Sequence, residues 1–168
     1  METYRRVKGL VDFIARRYQS VAEIGIGLFP DVAYALLNQR VQLLATDIRP
    51  LKYDGLRVVA DDITEPDISQ YAGVNLIYSM RPPPELVPYM VRLAGKISAD
   101  LIIKPLSSEY PESFRLMRNG DTTFFEWTWG NQSLTKGNLS AQVLSVSARG
   151  APNDFRSGII QKSGGILK

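Results

Sequence analysis

Apolar and polar positions follow two different periods along the chain. Near the N-terminus, apolar residues recur every three or four positions, as on one face of a helix: Tyr4, Val7, Leu10, Val11, Ile14 and Tyr18. Farther along, short continuous apolar runs predict buried strands, and the stretches between them predict helices. The predicted strands are 21–26, 41–47, 56–60, 74–79 and 100–104, and the predicted helices are 30–39, 65–71 and 84–96.

Apolar strands that alternate with helices are typical of a parallel sheet covered on both faces. The first strand, the first helix after it and the second strand form a βαβ unit of ordinary length. The later segment 122–129, TTFFEWTW, predicts an additional antiparallel strand at the sheet edge. The pattern predicts a three-layer α/β/α sandwich with a Rossmann-like, mostly parallel sheet that is trimmed after its fifth strand.

The composition of the chain changes near Gly130. The segment from there to the C-terminus is rich in Gly, Ser, Asn and Gln, and only 142–147 has a strand-like pattern. This segment contains five basic residues and one acid, a net charge of +4. Because the whole chain has a net charge of +3, residues 1–129 have a net charge of −1. We therefore predict a globular domain over 1–130 and a basic, Gly/Ser-rich, partly disordered extension over 131–168.

The residue types that are missing narrow the chemistry. The chain has no cysteine and no histidine, which excludes a thiol nucleophile, a thiolate metal site and an imidazole general base. We expect no metal site, and the sequence identifies no catalytic residue. No apolar run approaches the roughly 18 residues that span a bilayer. The N-terminal segment is interrupted by charged residues, so it lacks the continuous apolar stretch of a signal peptide. We expect a cytoplasmic protein that does not bind membranes.

The stretch EIGIGLFP, residues 23–30, joins the first predicted strand of the sheet to its helix and contains two glycines. A dinucleotide-binding fingerprint requires a third glycine at the position of Pro30. Asp31 places a carboxylate in the first turn of the helix, where it would repel a pyrophosphate. NAD and FAD are therefore disfavoured, and the phosphate-binding motif G-x-x-x-x-G-K-[ST] is missing as well.

Acidic residues stand at or near the ends of the first three strands of the predicted sheet. A ligand with a ribose and a base but no phosphate, such as S-adenosylmethionine, would not meet the repulsion from Asp31. Asp47 is placed to accept hydrogen bonds from both ribose hydroxyls, and Asp62 to accept one from the adenine amine. Glu23 is placed to orient the glycine turn or the methionyl ammonium. The alternative is that these acids only cap helices and loops.

At these positions the sequence resembles the class I S-adenosylmethionine-dependent methyltransferases. Gly25 and Gly27 match the glycine motif of that superfamily, Asp47 its ribose acid and Asp62 its adenine acid. Ile48 matches the apolar residue that packs on adenine. The resemblance implies a methyltransferase-like sheet, with S-adenosylmethionine as cofactor.

A closer resemblance is to a group of short, uncharacterised archaeal Rossmann-like proteins. The shared patterns are E-x-G-x-G-x-F-P-D-V-A, here residues 23–33, and I-Y-S-x-R-P-P-P-E-L, here residues 77–86. This resemblance implies a methyltransferase-like fold and no established reaction.

The second pattern follows the fourth strand, at the topological switch point where open α/β sheets bind ligands. In methyltransferases that act on exocyclic amines, this place carries Asn/Asp-Pro-Pro-aromatic, and the polar side chain holds the target nitrogen. Pro82 and Pro83 match that motif, but Arg81 replaces the Asn or Asp and cannot accept a hydrogen bond from an amine. We expect Ser79, Arg81, Pro82 and Pro83 to face the substrate.

Arg81 suits an anionic group, either on the substrate or on the cofactor. The alternative is a structural ion pair of Arg81 with Glu85 or another acid, with prolines that only start the next helix. Lys104 ends the fifth strand and either joins Arg81 in a basic pocket or is solvated.

The sequence leaves more than one function open. The first is methyl transfer from S-adenosylmethionine to an unknown substrate, which depends on orientation more than on acid–base catalysis. The second is a non-catalytic nucleoside-binding module, and an NAD(P)-binding oxidoreductase is a third that Pro30 and Asp31 disfavour. Basic residues of the N-terminal helix or of the tail either bind nucleic acid or form a solvated surface. The oligomeric state is not predicted.

Overall fold

The computed structural model describes residues 2–106 and 113–130, with side chains described from Val7 onward. These residues belong to one compact unit, Met1–Gln132. The predicted extension 131–168, with its strand at 142–147, lies outside the described residues. The helices are α1 (Glu2–Arg17), α2 (Asp31–Asn38) and α3 (Val87–Ile97), and the strands are β1 (Ser20–Ile24), β2 (Gln42–Asp47), β3 (Val58–Ala60), β4 (Leu76–Met80), β5 (Asp100–Lys104), β6 (Arg115–Asn119) and β7 (Thr122–Trp127).

The seven strands form one sheet in the order β3-β2-β1-β4-β5-β7-β6. Strands β1 to β5 are parallel, and β7 is antiparallel to both β5 and β6. The chain runs outward from β1 to β3 and then returns to β4 on the other side of β1. The carboxyl ends of β1 and β4 therefore flank the topological switch point, where the connections diverge and leave a crevice.

Apolar side chains cover both faces of the sheet. On one face, Leu10 and Ile14 of α1 and Leu36 of α2 pack with Tyr78 and Ile102 of the central strands. On the other face, α3 contributes Met90, Leu93 and Ala94, which pack with Ile77 and Leu101, among others. The three-layer α/β/α sandwich with a Rossmann-like, mostly parallel sheet is thus confirmed.

The expectation for the end of the sheet is wrong in two respects. The sheet is not trimmed after its fifth strand, because the antiparallel strands β7 and β6 extend it. The predicted strand 122–129 is β7, but it lies between β5 and β6 and not at the edge. The edge strand is β6, which the pattern missed because an edge strand with exposed Arg115, Leu116 and Arg118 shows no buried apolar face.

Two predicted helices differ from the structure. The predicted helix 65–71 is only a short 3₁₀ turn, Ile68–Tyr71. It starts late because the Asp67 side chain caps it by accepting a hydrogen bond from the Ser69 amide, and the left-handed Gly73 lies directly beyond its end. The predicted helix 84–96 begins as a 3₁₀ turn at Pro84–Leu86 and becomes helical at Val87, with Pro88 in its first turn, where the lack of an N–H does no harm.

Three basic side chains of α1 are engaged within the protein. Lys8 forms an ion pair with Asp12, and Arg16 donates a hydrogen bond to the Asp12 carbonyl oxygen. The Arg17 guanidinium lies 3.9 Å from the centre of the Phe13 ring. Among the described helices, none combines the length and the apolar character required to cross a bilayer.

Gly9 allows α1 to pack closely on the β6–β7 turn. The Asn119 side chain donates a 2.7 Å hydrogen bond to the Gly9 carbonyl oxygen, and a Cβ atom at Gly9 would overlap the Asn119 carbonyl oxygen. We expect Gly9→Ala to lower the free energy of unfolding by about 1 to 3 kcal/mol, although alanine favours helices. Urea denaturation measures this. Gly95→Ala in α3 is the matched control, since its Cβ would meet Trp129 only at 3.5 Å, and equal stabilities of the two variants would contradict the close packing.

Candidate functional site

The chain leaves β1 through a turn formed by its two glycines. Gly25 and Gly27 have φ values of +71° and +59°, in the left-handed region that side chains disfavour. The amides of Gly25 and Ile26 both donate to the Thr46 carbonyl oxygen of β2, at 2.8 and 3.0 Å. The Tyr53 hydroxyl donates a 2.7 Å hydrogen bond to the Gly27 carbonyl oxygen. The turn is thereby fixed against the carboxyl end of β2.

Asp47, at the end of β2, holds this turn from the side. Its carboxylate accepts a 2.9 Å hydrogen bond from the Gly27 amide, and further bonds of 3.0 Å from the Arg49 amide and from Arg49 Nε. Burial by itself would raise the pKa of Asp47, but the hydrogen bonds from Arg49 and Gly27 outweigh burial and lower the pKa overall. Asp47 is therefore a carboxylate at neutral pH, and each of its oxygens already has a donor.

A pocket of about 390 Å³ opens beside the glycine turn, at the topological switch point. Segments from α1, the glycine turn, α2 and the ends of β2, β4 and β5 line it. The lining residues are Val7, Gly25, Ile26, Gly27, Leu28, Phe29, Asp31, Val32, Arg49, Met80, Arg81 and Leu106. Several apolar side chains of this wall are solvent-exposed, among them Leu28, Phe29 and Leu106 at 66%, 60% and 84%. Exposed apolar residues that surround a pocket are typical of a ligand site.

The start of α2 faces this pocket with a negative charge. Pro30 occupies the N-cap and provides no side-chain hydrogen bond to the helix, and Asp31 in the first turn lines the pocket. A carboxylate in this place opposes a phosphate at the helix N-terminus. The geometry therefore suits a ligand that brings no phosphate to the glycine turn.

Glu23 is fully buried in β1 and does not line the pocket. Its Oε2 accepts a 2.7 Å hydrogen bond from the Tyr78 hydroxyl, and its Oε1 is buried with no hydrogen-bond partner among the described residues. Burial raises the pKa of Glu23 to about 8, and the hydrogen bond from Tyr78 offsets only part of this effect. Glu23 is therefore mostly protonated at neutral pH.

The predicted adenine-binding residues lie away from this pocket. Asp62, after β3, is exposed, and its Oδ1 accepts hydrogen bonds from the Thr64 amide and hydroxyl at 2.9 and 2.8 Å. These bonds lower the pKa of Asp62. Ile48 is 71% exposed beside Asp47. Neither Asp62 nor Ile48 lines the pocket, and Asp47 does not line it either. Asp47 is connected to the pocket through the Gly27 amide, which donates a hydrogen bond to its carboxylate.

The residues after β4 have separate environments. Ser79 is buried, and its hydroxyl donates a 2.7 Å hydrogen bond to the Ile24 carbonyl oxygen, which links β4 to β1. Pro82 is buried and Pro83 exposed, and neither lines the pocket. Arg81 does line it, with its guanidinium 5.3 Å from the centre of the Phe29 ring. Of the four residues expected to face a substrate, the structure places one in the pocket.

Sequence reasoning missed several residues of the pocket wall. The sequence could have indicated Leu28 and Phe29 as pocket residues, since two large apolar residues directly follow the glycines on a connecting segment. The sequence pattern did not indicate Met80 and Leu106, because only the pairing of β1, β4 and β5 brings them to the pocket. Within the described part of the chain, acidic side chains form no cluster of three that would hold a metal ion.

Solved structures provide a comparison for the fold. The crystal structure of monomeric WbdD matches 76% of this chain with a TM-score of 0.50 and 11% identity, and this chain spans 41% of the length of WbdD. A putative methyltransferase, yhhF from Escherichia coli, matches 73% of this chain and 82% of its own length, with a TM-score of 0.48 and 14% identity. At such low identities the likeness concerns only the fold, which is Rossmann-like.

Sequence relatives define the family. A UPF0146 protein of Archaeoglobus fulgidus is 42% identical over 106 residues, which cover 62% of this chain and 82% of the relative. One from Pyrococcus abyssi is 32% identical over 126 residues, which cover 70% of this chain and 96% of the relative. Residues 8–128 match the sequence model of a family described as "Uncharacterised protein family (UPF0146)". The resemblance to short archaeal proteins is thus confirmed, and the chain belongs to the UPF0146 family.

Proposed function

We propose that the protein binds S-adenosylmethionine at the glycine turn and transfers its methyl group to a substrate. The observation that carries this proposal is the pocket at the switch point, in which the glycine turn and the Asp31 carboxylate share one wall. The open turn admits a nucleoside, and the negative charge at the start of α2 disfavours a pyrophosphate. The methyltransferase-like fold supports the same choice of ligand.

In this proposal the nucleoside extends from the glycine turn toward β2 and β3. A carboxylate offers about four acceptor positions, and the Gly27 amide, the Arg49 amide and Arg49 Nε occupy three of them in Asp47. Asp47 accepts hydrogen bonds from both ribose hydroxyls once the Arg49 side chain turns away. Arg49 is half-exposed, so in this proposal its side chain exchanges the Asp47 carboxylate for solvent when the ribose binds. Asp62 and Ile48 would approach the adenine from the ends of β3 and β2.

The methyl transfer itself requires little acid–base catalysis by the protein. The bound cofactor supplies the activated methyl group, and the protein has to hold the acceptor atom in line with it. The pocket beyond the glycine turn provides an apolar wall for the acceptor at Leu28, Phe29 and Met80. A chain without histidine or cysteine remains suited to this reaction.

Isothermal titration calorimetry with S-adenosylhomocysteine and with NAD tests the choice of ligand. We expect S-adenosylhomocysteine to bind in the micromolar range and NAD to bind far more weakly, because Asp31 opposes the pyrophosphate. Asp31→Asn should strengthen NAD binding and leave the affinity for S-adenosylhomocysteine nearly unchanged. Tighter binding of NAD than of S-adenosylhomocysteine by the unmodified protein would overturn the proposal.

A non-catalytic nucleoside-binding module is the second candidate, favoured by Arg81 at the position of the amine-holding Asn or Asp. Incubation with radiolabelled S-adenosylmethionine and panels of RNA, protein and small-molecule acceptors separates the two. Transfer of label identifies an enzyme, whereas saturable cofactor binding without transfer to any acceptor supports the module.

A further inference from the structure

Two cations lie side by side at the carboxyl ends of β4 and β5. Met80 is paired with Lys104 in the register of these strands, and the Arg81 amide donates a 2.7 Å hydrogen bond to the Lys104 carbonyl oxygen. Lys104 lies on the same face of the sheet as Met80, which lines the pocket. Arg81 lines the pocket itself. The two cationic residues are therefore adjacent through their backbones, with Arg81 in the pocket wall and Lys104, which does not itself line the pocket, beside Met80 at its edge.

Neither cation has an acidic partner within residues 7–106 and 113–130, for which side chains are described. Lys104 is partly buried, and burial lowers its pKa. Arg81 is exposed and rests over the Phe29 ring. Glu85, the expected partner of Arg81, forms no ion pair with it in this structure. Asp31 and Arg49 line the pocket on its β1–β2 side, and Arg49 is there paired with Asp47 behind the pocket wall.

The backbone at Arg81 is held in an unfavourable conformation. Its φ is +54°, in the left-handed region that a residue with a long side chain seldom adopts. Such strain persists where the surroundings impose it, and it is common at ligand sites. Here the hydrogen bond from the Arg81 amide to the Lys104 carbonyl oxygen holds it, whereas the following Pro82 by itself would favour an extended conformation of Arg81. A glycine would fit this position with less strain, but it would bring no charge to the pocket.

We propose that Arg81 and Lys104 bind the anionic group, a phosphate or carboxylate, of the methyl acceptor, whose ring or other apolar part lies against Phe29 and Leu106. This inference rests on the proposed function and names the substrate class of the same site. The strand order assigns the two cations to the acceptor: β4 lies about 5 Å from β1 and β5 about 10 Å, on the side opposite to β2 and β3. A nucleoside on the β2 side and an anionic acceptor on the β5 side would then meet above β1 and β4.

Titration with phenyl phosphate, a small ring that carries one phosphate, tests the site in free protein and in protein saturated with S-adenosylhomocysteine. We expect binding in both states, and weaker binding of inorganic phosphate, which lacks the ring. Lys104→Gln and Arg81→Gly should each weaken phenyl phosphate binding by about tenfold or more, since each removes a charge-assisted hydrogen bond. Lys96→Gln, which removes an exposed lysine from α3, is the matched control and should bind like the unmodified protein.

Thermal unfolding distinguishes a ligand site from a structural role. Arg81→Gly relieves the left-handed strain, and Lys104→Gln removes a partly buried charge that has no counter-ion among the described residues. Both melting temperatures should therefore stay level or rise. A marked fall in either would show that the cation serves the fold.

The remaining outcomes are also decisive. Undetectable binding of phenyl phosphate, or equal binding by all variants, would overturn the anion site while leaving S-adenosylhomocysteine binding intact. If S-adenosylhomocysteine displaces phenyl phosphate and Arg81→Gly loses affinity for S-adenosylhomocysteine, Arg81 belongs to the cofactor carboxylate and the inference fails. If phenyl phosphate binds at these residues and S-adenosylhomocysteine does not bind at all, the anion site stands and the proposed cofactor is wrong.

Discussion

Replacing Asp47 with alanine should lower the affinity for S-adenosylhomocysteine by about two to four orders of magnitude. In the proposed site, Asp47 accepts hydrogen bonds from two ribose hydroxyls, and each bond to a charged acceptor contributes roughly 1.5 to 3 kcal/mol. Asp47→Asn keeps the shape of the side chain but loses its charge and one acceptor, so its affinity should lie between those of the unmodified protein and Asp47→Ala. Calorimetric titration of the three proteins measures the series.

The stability of the Asp47→Ala variant should also fall, by about 1 to 3 kcal/mol. Asp47 is 7% exposed, and its loss leaves the Gly27 amide and the Arg49 amide without their acceptor. The affinity loss by itself would therefore not distinguish contact with the ribose from support of the glycine turn.

A ligand lacking the two ribose hydroxyls separates these contributions. The unmodified protein should bind the 2′,3′-dideoxy analogue of S-adenosylhomocysteine far more weakly than S-adenosylhomocysteine, whereas Asp47→Ala should bind both ligands about equally. Asp67→Ala is the control, since it removes an exposed carboxylate that caps the turn at Ile68–Tyr71 and should keep the preference for the hydroxylated ligand. If Asp47→Ala discriminates between the two ligands as strongly as the unmodified protein does, Asp47 only supports the turn.

The second large effect concerns Glu23 and the pH dependence of stability. Burial raises the pKa of Glu23 from the ordinary value of 4.5 to about 8, so the folded protein binds this proton more tightly than the unfolded chain. The associated stabilisation is complete below about pH 4.5 and is lost as the pH rises toward 8. Over this interval Glu23 should reduce the free energy of unfolding by on the order of 4 kcal/mol.

Glu23→Gln should abolish this contribution, because the amide is neutral at every pH in the interval. Urea denaturation at several pH values measures the difference between the two proteins, which isolates Glu23 from other groups such as Glu126, whose pKa burial also raises. Tyr78→Phe removes the hydrogen bond that lowers the pKa of Glu23 and should steepen the loss of stability with pH. Glu65→Gln, at an exposed acid, should leave the pH dependence unchanged. Parallel profiles for Glu23→Gln and the unmodified protein would show that Glu23 is ionised in the folded state.

The periodicity of the sequence determined most of the sheet. Buried parallel strands need apolar residues on both faces, so β1, β2, β4 and β5 appear as continuous apolar runs, and the helices between them appear as amphipathic stretches. The strand β6 has one exposed edge and no such run, and its pairing with β7 is established only in three dimensions. Short turns such as Ile68–Tyr71 depend on single caps, which periodicity does not register.

The sequence by itself also located the glycine turn and its acidic neighbours, because a strand, two glycines and a helix are consecutive in the chain. Only the tertiary structure decided what those neighbours contact. The parallel pairing of β1 with β4 sets Glu23 opposite Tyr78, 55 positions away, and burial between the helices and the sheet then keeps its proton bound. In the same pairing, the Ser79 hydroxyl donates a hydrogen bond to the Ile24 carbonyl oxygen and is therefore engaged within the sheet. The pairing of β4 with β5 brings Lys104 beside Arg81. Local patterns encode turns and strands, whereas hydrogen-bond partners and burial depend on residues distant in sequence, and these contacts fix the charge of each group in the site.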